Sequence, residues 1–173
     1  MIAAPAGIAV ESATPDDRLD ILRVLDAAML ETDLDAVDAA IDAESPSDVG
    51  DALVARFLRT DAVVGALVAT RPEPGRVHVD AVAVRRARRG RGIGSALVAE
   101  AARRAEDDGD VDVVTAAFAP RLKGFYTELG FEIDAVSDDD DTTGDGDTTG
   151  DVAEDENDDA TGDTDRLFGR YQV

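Results

Sequence analysis

The chain has 173 residues, 44% of them hydrophobic, and this length and apolar content predict about one domain with a core of its own. It contains no cysteine and a single histidine, which excludes a disulfide framework, a thiolate metal centre and a multi-histidine metal site. Residues 1–7 lack the basic and apolar regions of a signal peptide, and no apolar run reaches the roughly 18 residues of a membrane span. We therefore expect a cytoplasmic protein that is neither secreted nor embedded in a membrane.

The net charge of −22 is concentrated in one segment of the chain. Residues 138–165 contain 14 Asp or Glu and no Lys or Arg, which leaves −8 on the remaining 145 residues. A hydrated acidic surface of this kind is typical of proteins from salt-loving organisms, because high ionic strength screens the repulsion. A mesophilic protein with one acidic segment is the alternative. In either case the acidity opposes nonspecific binding to nucleic acid.

The first half of the chain alternates between strand and helix patterns. Residues 8–11 alternate as a short strand, and Thr14-Pro15-Asp16-Asp17 has the composition of a helix start, followed by helical spacing over 19–29 and 34–43. Two apolar runs, 52–58 and 62–70, are separated by three residues and predict a hairpin. Residues 71–75 form a turn that leads to a strand over 76–84.

The second half predicts a helix over 92–108, a strand over 111–118, a helix over 120–129 and strands over 131–136 and 166–173. Residues 137–165 lack apolar content and are expected to form a disordered acidic insertion between the last two strands. Its Asp-x-Asp spacings do not match the EF-hand pattern, so we expect no metal site. We expect residues 1–173 to form one domain.

A glycine-rich turn between the strand at 76–84 and the following helix is the strongest functional signal. Glycines let a backbone approach a diphosphate closely, and the N–H groups of a helix start attract anions. Lys123, the only lysine, lies far from this turn, so no P-loop is present. The dinucleotide pattern GxGxxG would need glycine at Ser95 or Leu97, and both positions lack it.

Arg89-x-x-Gly92-x-Gly94 resembles the [Q/R]xxGx[G/A] loop that binds the acetyl-CoA diphosphate in the GNAT superfamily of N-acetyltransferases. Phe125-Tyr126-Thr127-Glu128-Leu129-Gly130-Phe131 resembles that family's FYxxLGF segment, and it follows the glycine turn at the family's spacing. The resemblance implies an α/β (α+β) fold with a mixed, largely antiparallel sheet of six or seven strands and about four helices. It also implies that acetyl-CoA binds after the fourth strand, in the opening where neighbouring strands of the sheet separate.

The same resemblance indicates which residues contact the acetyl donor. The backbone at Ala83 and Val84 would pair with the pantetheine arm. The diphosphate would be held by Arg89, Gly90, Arg91, Gly92, Ile93, Gly94 and Ser95. The neighbouring arginines 85, 86 and 88 belong to the same basic cluster, for which contact with a polyanion or with solvent is the alternative. The family's asparagine seven residues before the tyrosine is replaced by Ala119, which removes one donor contact.

Three residues are candidates for proton transfer. Tyr126 matches the tyrosine that lies near the CoA sulfur in many family members and would protonate the leaving thiolate; the alternative is a core aromatic. His78 and Asp80 lie at even offsets from Val84, which predicts one shared strand face. The resemblance implies that a residue in this part of the strand relays the amine's proton. The alternative for both residues is an ordinary surface role, with water carrying the proton.

We therefore predict an acetyl-CoA-dependent transferase that acetylates a primary amine of a small molecule or protein. No metal is needed for this chemistry, and no membrane or nucleic-acid partner is expected; a homodimer is compatible with the sequence. One alternative is a catalytically silent acyl-CoA-binding module. The other is a polyanion-binding protein that uses the cluster from Arg85 to Arg91.

Overall fold

The computed structural model describes residues 3–28, 34–42, 50–134 and 166–173. They form seven strands and four α-helices. The strands are β1 (Ile8–Ser12), β2 (Gly50–Phe57), β3 (Ala62–Glu73), β4 (Gly75–Val84), β5 (Val111–Phe118), β6 (Glu132–Asp134) and β7 (Leu167–Gln172). The helices are α1 (Arg18–Asp26), α2 (Leu34–Asp42), α3 (Ile93–Asp107) and α4 (Lys123–Glu128). Short 3₁₀ turns at Pro15–Asp17, Arg86–Arg88 and Pro120–Leu122 lead into α1, the glycine turn and α4.

All seven strands belong to one sheet with the order β1-β2-β3-β4-β5-β7-β6. Every neighbouring pair is antiparallel except β4 and β5, which are parallel because α3 crosses over between them. The predicted fold class is therefore confirmed. The last two strands form the expected antiparallel pair, and β7 lies inside the sheet between β5 and β6.

The helices cover the two faces of the sheet separately. Helices α1 and α2 pack on one face through a core that includes Ile21, Leu25 and Val37, and α3 and α4 pack on the other face through Ile93, Leu97 and Tyr126. These apolar residues recur at helical spacing, so each helix buries one side against the strands. The sheet is thus a central layer between two pairs of helices, and the ends of β4 and β5 have helices on both sides.

Two local predictions differ from the structure. The predicted turn at 71–75 is shorter, because β3 continues to Glu73 through an irregular register after Thr70 that accommodates Pro72. The predicted helix at 120–129 starts as a 3₁₀ turn and is α-helical only over Lys123–Glu128. The predicted acidic insertion at 137–165 and the outer ends of the elements predicted to reach residues 29, 43 and 136 lie outside the described residues.

Candidate active site

A cleft opens where β4 and β5 separate. Their parallel pairing runs from Gly75 opposite Val111 to Val79 opposite Ala116. Beyond this point β4 continues to Val84 paired only with β3, and β5 continues to Phe118 paired only with β7. The end of β4 therefore presents backbone N–H and C=O groups to the cleft without a partner strand. The predicted donor residues Ala83 and Val84 lie on this free edge.

The glycine turn lies directly after that edge and leads into α3. Gly90 and Gly92 have φ of +70° and +79°, a left-handed conformation that side-chain-bearing residues rarely adopt. Gly92 is the N-cap of α3; no side chain caps the helix and no acidic residue lies in its first turn. The first N–H groups of α3, including those of Ile93, Gly94 and Ser95, have no partner in the preceding turn of a helix. The start of this 15-residue helix is therefore open to an anion.

A bulge in β3 holds the start of the glycine turn. Ala55 pairs with Gly65 and Arg56 with Val63, so Val64 is an extra residue between β2 and β3. The carbonyl of Val64 accepts a 2.8 Å hydrogen bond from the backbone N–H of Arg85, the first residue after β4. Bulges commonly redirect a strand next to a binding site. This hydrogen bond fixes the direction in which the chain leaves the sheet.

The basic cluster is divided among several partners. Arg85 forms a 3.7 Å ion pair with Asp20 on α1, and the guanidinium of Arg88 lies 4.1 Å from the centre of the Phe57 ring. These two side chains are therefore already engaged on the β2 and α1 side of the loop. Arg85 and Arg88 are therefore less available to bind a diphosphate than their place in the basic cluster suggested.

Three arginines of the cluster are oriented differently. The Nε of Arg89 donates a 2.9 Å hydrogen bond to the carbonyl of Val84, which leaves its two terminal nitrogens for a ligand. Arg86 and Arg91 are exposed, and within the described part of the chain their side chains have no hydrogen bond or ion pair. Positive charge at the glycine turn thus comes mainly from Arg86, Arg89 and Arg91.

Tyr126 lies in an aromatic cluster beside the end of β5. Its ring stacks on Phe118, with centroids 4.0 Å apart, and makes edge contacts with Phe125 and Phe131 at 5.0 and 5.3 Å. Burial raises the pKa of the Tyr126 phenol to about 12. Its hydroxyl has no hydrogen-bond partner among the described residues, although a buried hydroxyl normally has one.

Phe125 connects the two sequence motifs. A Cβ added to Gly94 would lie 3.6 Å from the Cζ atom of Phe125, so the first turn of α3 touches α4 at this point. Sequence reasoning identified the two motifs from separate segments and did not assign Phe118, Phe125 or Phe131 to the site. The aromatic spacing of this segment was visible, but the contact depends on the tertiary packing of α3, α4 and β5.

The predicted shared face of His78, Asp80 and Val84 is wrong. Val68 pairs with Ala81 and Ala69 with Val79, so Asp80 is an extra residue that forms a bulge in β4. Val77 and Val79 pack on the α3 side before this bulge, and Val82 and Val84 pack on that side after it. His78 therefore lies on the opposite face from Val84, because the bulge shifts the alternation of the strand by one residue.

His78 lies at the closed end of the cleft. It is half-buried and pairs in register with Thr115, whose hydroxyl lies 2.9 Å from the His78 Nδ1 atom. The next residue pair, Val79 and Ala116, is the last before the strands separate. Asp80, the first β4 residue beyond that pair, is exposed. The two candidates are therefore neighbours at the point where the cleft begins.

The sequence model of the acetyltransferase (GNAT) family matches residues 20–131, which include the glycine turn, the cleft and Tyr126. The chain belongs to the GNAT acetyltransferase family. No curated protein matches the chain.

Solved structures of GNAT proteins share the fold at low sequence identity. An acetyltransferase of the GNAT family from Streptococcus pneumoniae is 16% identical with a TM-score of 0.67, over 96% of this chain and 99% of that one. A GNAT family acetyltransferase from Brucella melitensis, in complex with acetyl-CoA, is 21% identical with a TM-score of 0.58, over 72% and 82%. A Pyrococcus horikoshii protein is also 21% identical, with a TM-score of 0.57 over 75% of this chain and 45% of that one.

The described residues contain neither a candidate metal centre nor a membrane-spanning helix. Within residues 3–28, 34–42, 50–134 and 166–173, no three His, Asp or Glu side chains are grouped so that they could hold a metal ion. No helix in the same ranges is long and apolar enough to cross a membrane.

Proposed function

We propose that this protein is an N-acetyltransferase that moves the acetyl group of acetyl-CoA to a primary amine. The observation that carries the proposal is the cleft between β4 and β5, which ends beside the uncapped start of α3. An extended pantetheine arm can pair with the free edge of β4 while its diphosphate meets the N–H groups at the start of α3. A family neighbour that holds acetyl-CoA supports this choice of donor.

The diphosphate is bound by the backbone from Arg89 to Ser95. Gly90 and Gly92 keep this backbone free of side chains, and Arg89 and Arg91 add positive charge. Val84 contributes its backbone, and its carbonyl is held by Arg89. The Ala83 side chain is buried, so this residue also acts through its main chain. A donor from this edge to the thioester oxygen would stabilise the charge that develops there.

The reaction needs a neutral amine and a stabilised leaving group. The amine nitrogen attacks the thioester carbon, the C–N bond forms, the C–S bond breaks, and the electron pair of that bond leaves on sulfur. One proton is lost from the nitrogen, and the sulfur ends as a thiol. Tyr126, beside Phe118 at the end of β5, matches the tyrosine that lies near the CoA sulfur in many family members.

The raised pKa limits what Tyr126 can do. A phenol with a pKa of about 12 remains protonated at neutral pH, so it is always ready to donate a hydrogen bond. A thiol ionises at lower pH than this phenol, so complete transfer of the phenol's proton to the thiolate is unfavourable. Tyr126 therefore stabilises the developing thiolate through a hydrogen bond, and the net proton comes from water.

His78 accepts the proton of the amine, with Asp80 as the second candidate. His78 lies at the closed end of the cleft, and imidazole is basic in the neutral range. The bulge places Asp80 between His78 and the free part of β4, where its carboxylate can attract a cationic amine. The acceptor is a primary amine of a small molecule or of a protein.

Thiol release from acetyl-CoA tests the proposal. Amines, polyamines, amino acids and peptide N-termini should be screened in high salt, with mass spectrometry for an added acetyl group. A silent acyl-CoA-binding module would bind acetyl-CoA without turnover. A polyanion-binding protein would instead bind RNA or DNA with strong salt dependence and would not require acetyl-CoA.

A further inference from the structure

The distribution of ion pairs singles out one edge of the sheet. Although the chain carries 39 acidic residues, seven of its 17 basic side chains have no carboxylate partner in the described part of the structure. They are Arg59, Arg86, Arg88, Arg89, Arg91, Arg121 and Lys123. In so acidic a protein, cations that remain unpaired by carboxylates mark a surface where an anion can bind.

All seven lie at the same edge of the sheet. Arg59 is in the turn between β2 and β3, four follow β4, and Arg121 and Lys123 follow β5. Because β4 and β5 are parallel, their carboxyl ends meet at one edge, and the antiparallel β2 also ends there. The cleft between β4 and β5 therefore has cationic side chains on both of its walls.

The positive charges on the two walls match the two separate phosphate groups of coenzyme A. Its diphosphate links pantetheine to adenosine, and a separate monophosphate is attached to the 3′ oxygen of the ribose. The glycine turn on the β4 side accounts for the diphosphate. Arg121 and Lys123 on the β5 side are exposed and are not needed for that group. Contact between Gly94 and Phe125 keeps α4 beside the first turn of α3, so both walls border one groove.

We propose that Arg121 and Lys123 bind the 3′-phosphate of the acyl donor and so make the protein selective for CoA thioesters over their 3′-dephospho forms. This inference rests on the proposed function. Arg59 cannot replace them in the same groove, because its turn lies beyond β3 on the other side of β4. Exposed cations bind phosphate through charge-assisted hydrogen bonds that salt weakens.

The experiment compares acetyl-CoA with acetyl-3′-dephospho-CoA by calorimetry, at the lowest salt concentration at which the protein stays folded. The wild-type protein should bind acetyl-CoA about 10-fold more tightly. The double variant Arg121→Gln/Lys123→Gln should bind the two donors within about 2-fold of each other, because only the acetyl-CoA affinity falls. Arg59→Gln is the control, because it removes one positive charge at the same sheet edge, and it should keep the wild-type ratio.

Each outcome supports or overturns the assignment. If the wild-type protein binds both donors equally, Arg121 and Lys123 do not bind the 3′-phosphate. The same conclusion follows if the double variant lowers the affinity for both donors by the same factor. If Arg59→Gln abolishes the preference and the double variant keeps it, the phosphate lies on the other wall. If neither donor binds the wild-type protein, the proposed function itself fails. Circular dichroism confirms that the variants are folded.

Discussion

The ring of Tyr126 lies flat against that of Phe118, with an angle of 14° between the two planes. This stacking fixes the phenol beside the end of β5 and removes it from water, and burial is the cause of its raised pKa. Three aromatic neighbours hold the ring, but no described residue bonds the hydroxyl. Packing therefore explains the ring of Tyr126 and leaves its hydroxyl unexplained.

Replacing Tyr126 by Phe separates these two parts of the side chain. The ring contacts remain and an unpaired buried hydroxyl is removed, so the melting temperature should be unchanged or slightly higher. Loss of the hydrogen bond to the thiolate should lower kcat by about 10²-fold with little change in acetyl-CoA affinity. Steady-state kinetics and thermal denaturation check the two effects. An unchanged kcat would assign the whole residue to packing.

The His78→Gln variant tests the base. We expect kcat to fall by about 10²-fold with little change in acetyl-CoA affinity, because glutamine accepts no proton. Thr115→Val is the control: it removes the hydroxyl beside Nδ1 but keeps the imidazole, so most of the activity should remain. If Asp80→Asn loses activity and His78→Gln does not, Asp80 is the base.

Gly92→Val tests the donor loop. In the proposed donor site a side chain at Gly92 would obstruct the diphosphate, so acetyl-CoA binding should be lost. The residue also has φ of +79°, so valine strains the backbone by about 1–3 kcal/mol whatever the ligand does. Gly7→Val is the matched control, because Gly7 has φ of +80° and only an ordinary 3.7 Å contact, with Phe57. Calorimetry should show normal acetyl-CoA binding by the Gly7 variant; equal binding by both variants would contradict the assignment.

The outline of this site was predictable because its signals are local. The glycine turn, the start of α3 and the FYxxLGF segment are each continuous in sequence, and their residues determine backbone conformation directly. The bulge at Asp80 was not predictable, since residues 81–84 are all apolar and do not show which face each occupies; the extra residue is defined only by pairing with β3. The same limitation applies to Val64 and Arg85, whose hydrogen bond joins residues that are far apart in the chain.

The network around Asp17 could not be predicted for a similar reason. Its helix-start pattern was visible, and one carboxylate oxygen accepts hydrogen bonds from the N–H and the hydroxyl of Thr14. The other oxygen accepts a 2.8 Å hydrogen bond from Arg56 on β2, and this long-range pair ties the start of α1 to the sheet. Burial alone would raise the pKa of Asp17, but hydrogen bonds from Thr14 and Arg56 hold it below its ordinary value.

Asp17→Asn should therefore destabilise the fold by about 3 kcal/mol at neutral pH, because it leaves Arg56 without its buried partner. A lowered folded-state pKa means that the stabilisation is present above the ordinary value of 3.8 and is lost as the pH falls through the folded-state value. Wild-type and variant stabilities should then converge in acid. Glu11→Gln, which removes the half-exposed second partner of Arg56, should cost about 1 kcal/mol or less. Urea denaturation from acid to neutral pH measures both changes in the free energy of unfolding.

Deleting residues 138–165 tests the role of the acidic segment. Strands β6 and β7 are antiparallel, and Asp134 pairs with Phe168, so the flanking ends already lie together and a short turn can join them. The variant should keep its sheet and its affinity for acetyl-CoA, since loop closure depends only weakly on loop length. Removal of 14 negative charges lowers self-repulsion, so the variant should need less salt to stay folded. Circular dichroism as a function of salt concentration decides the question: a greater salt requirement, or loss of the sheet signal, would mean that the segment contributes to the folded structure.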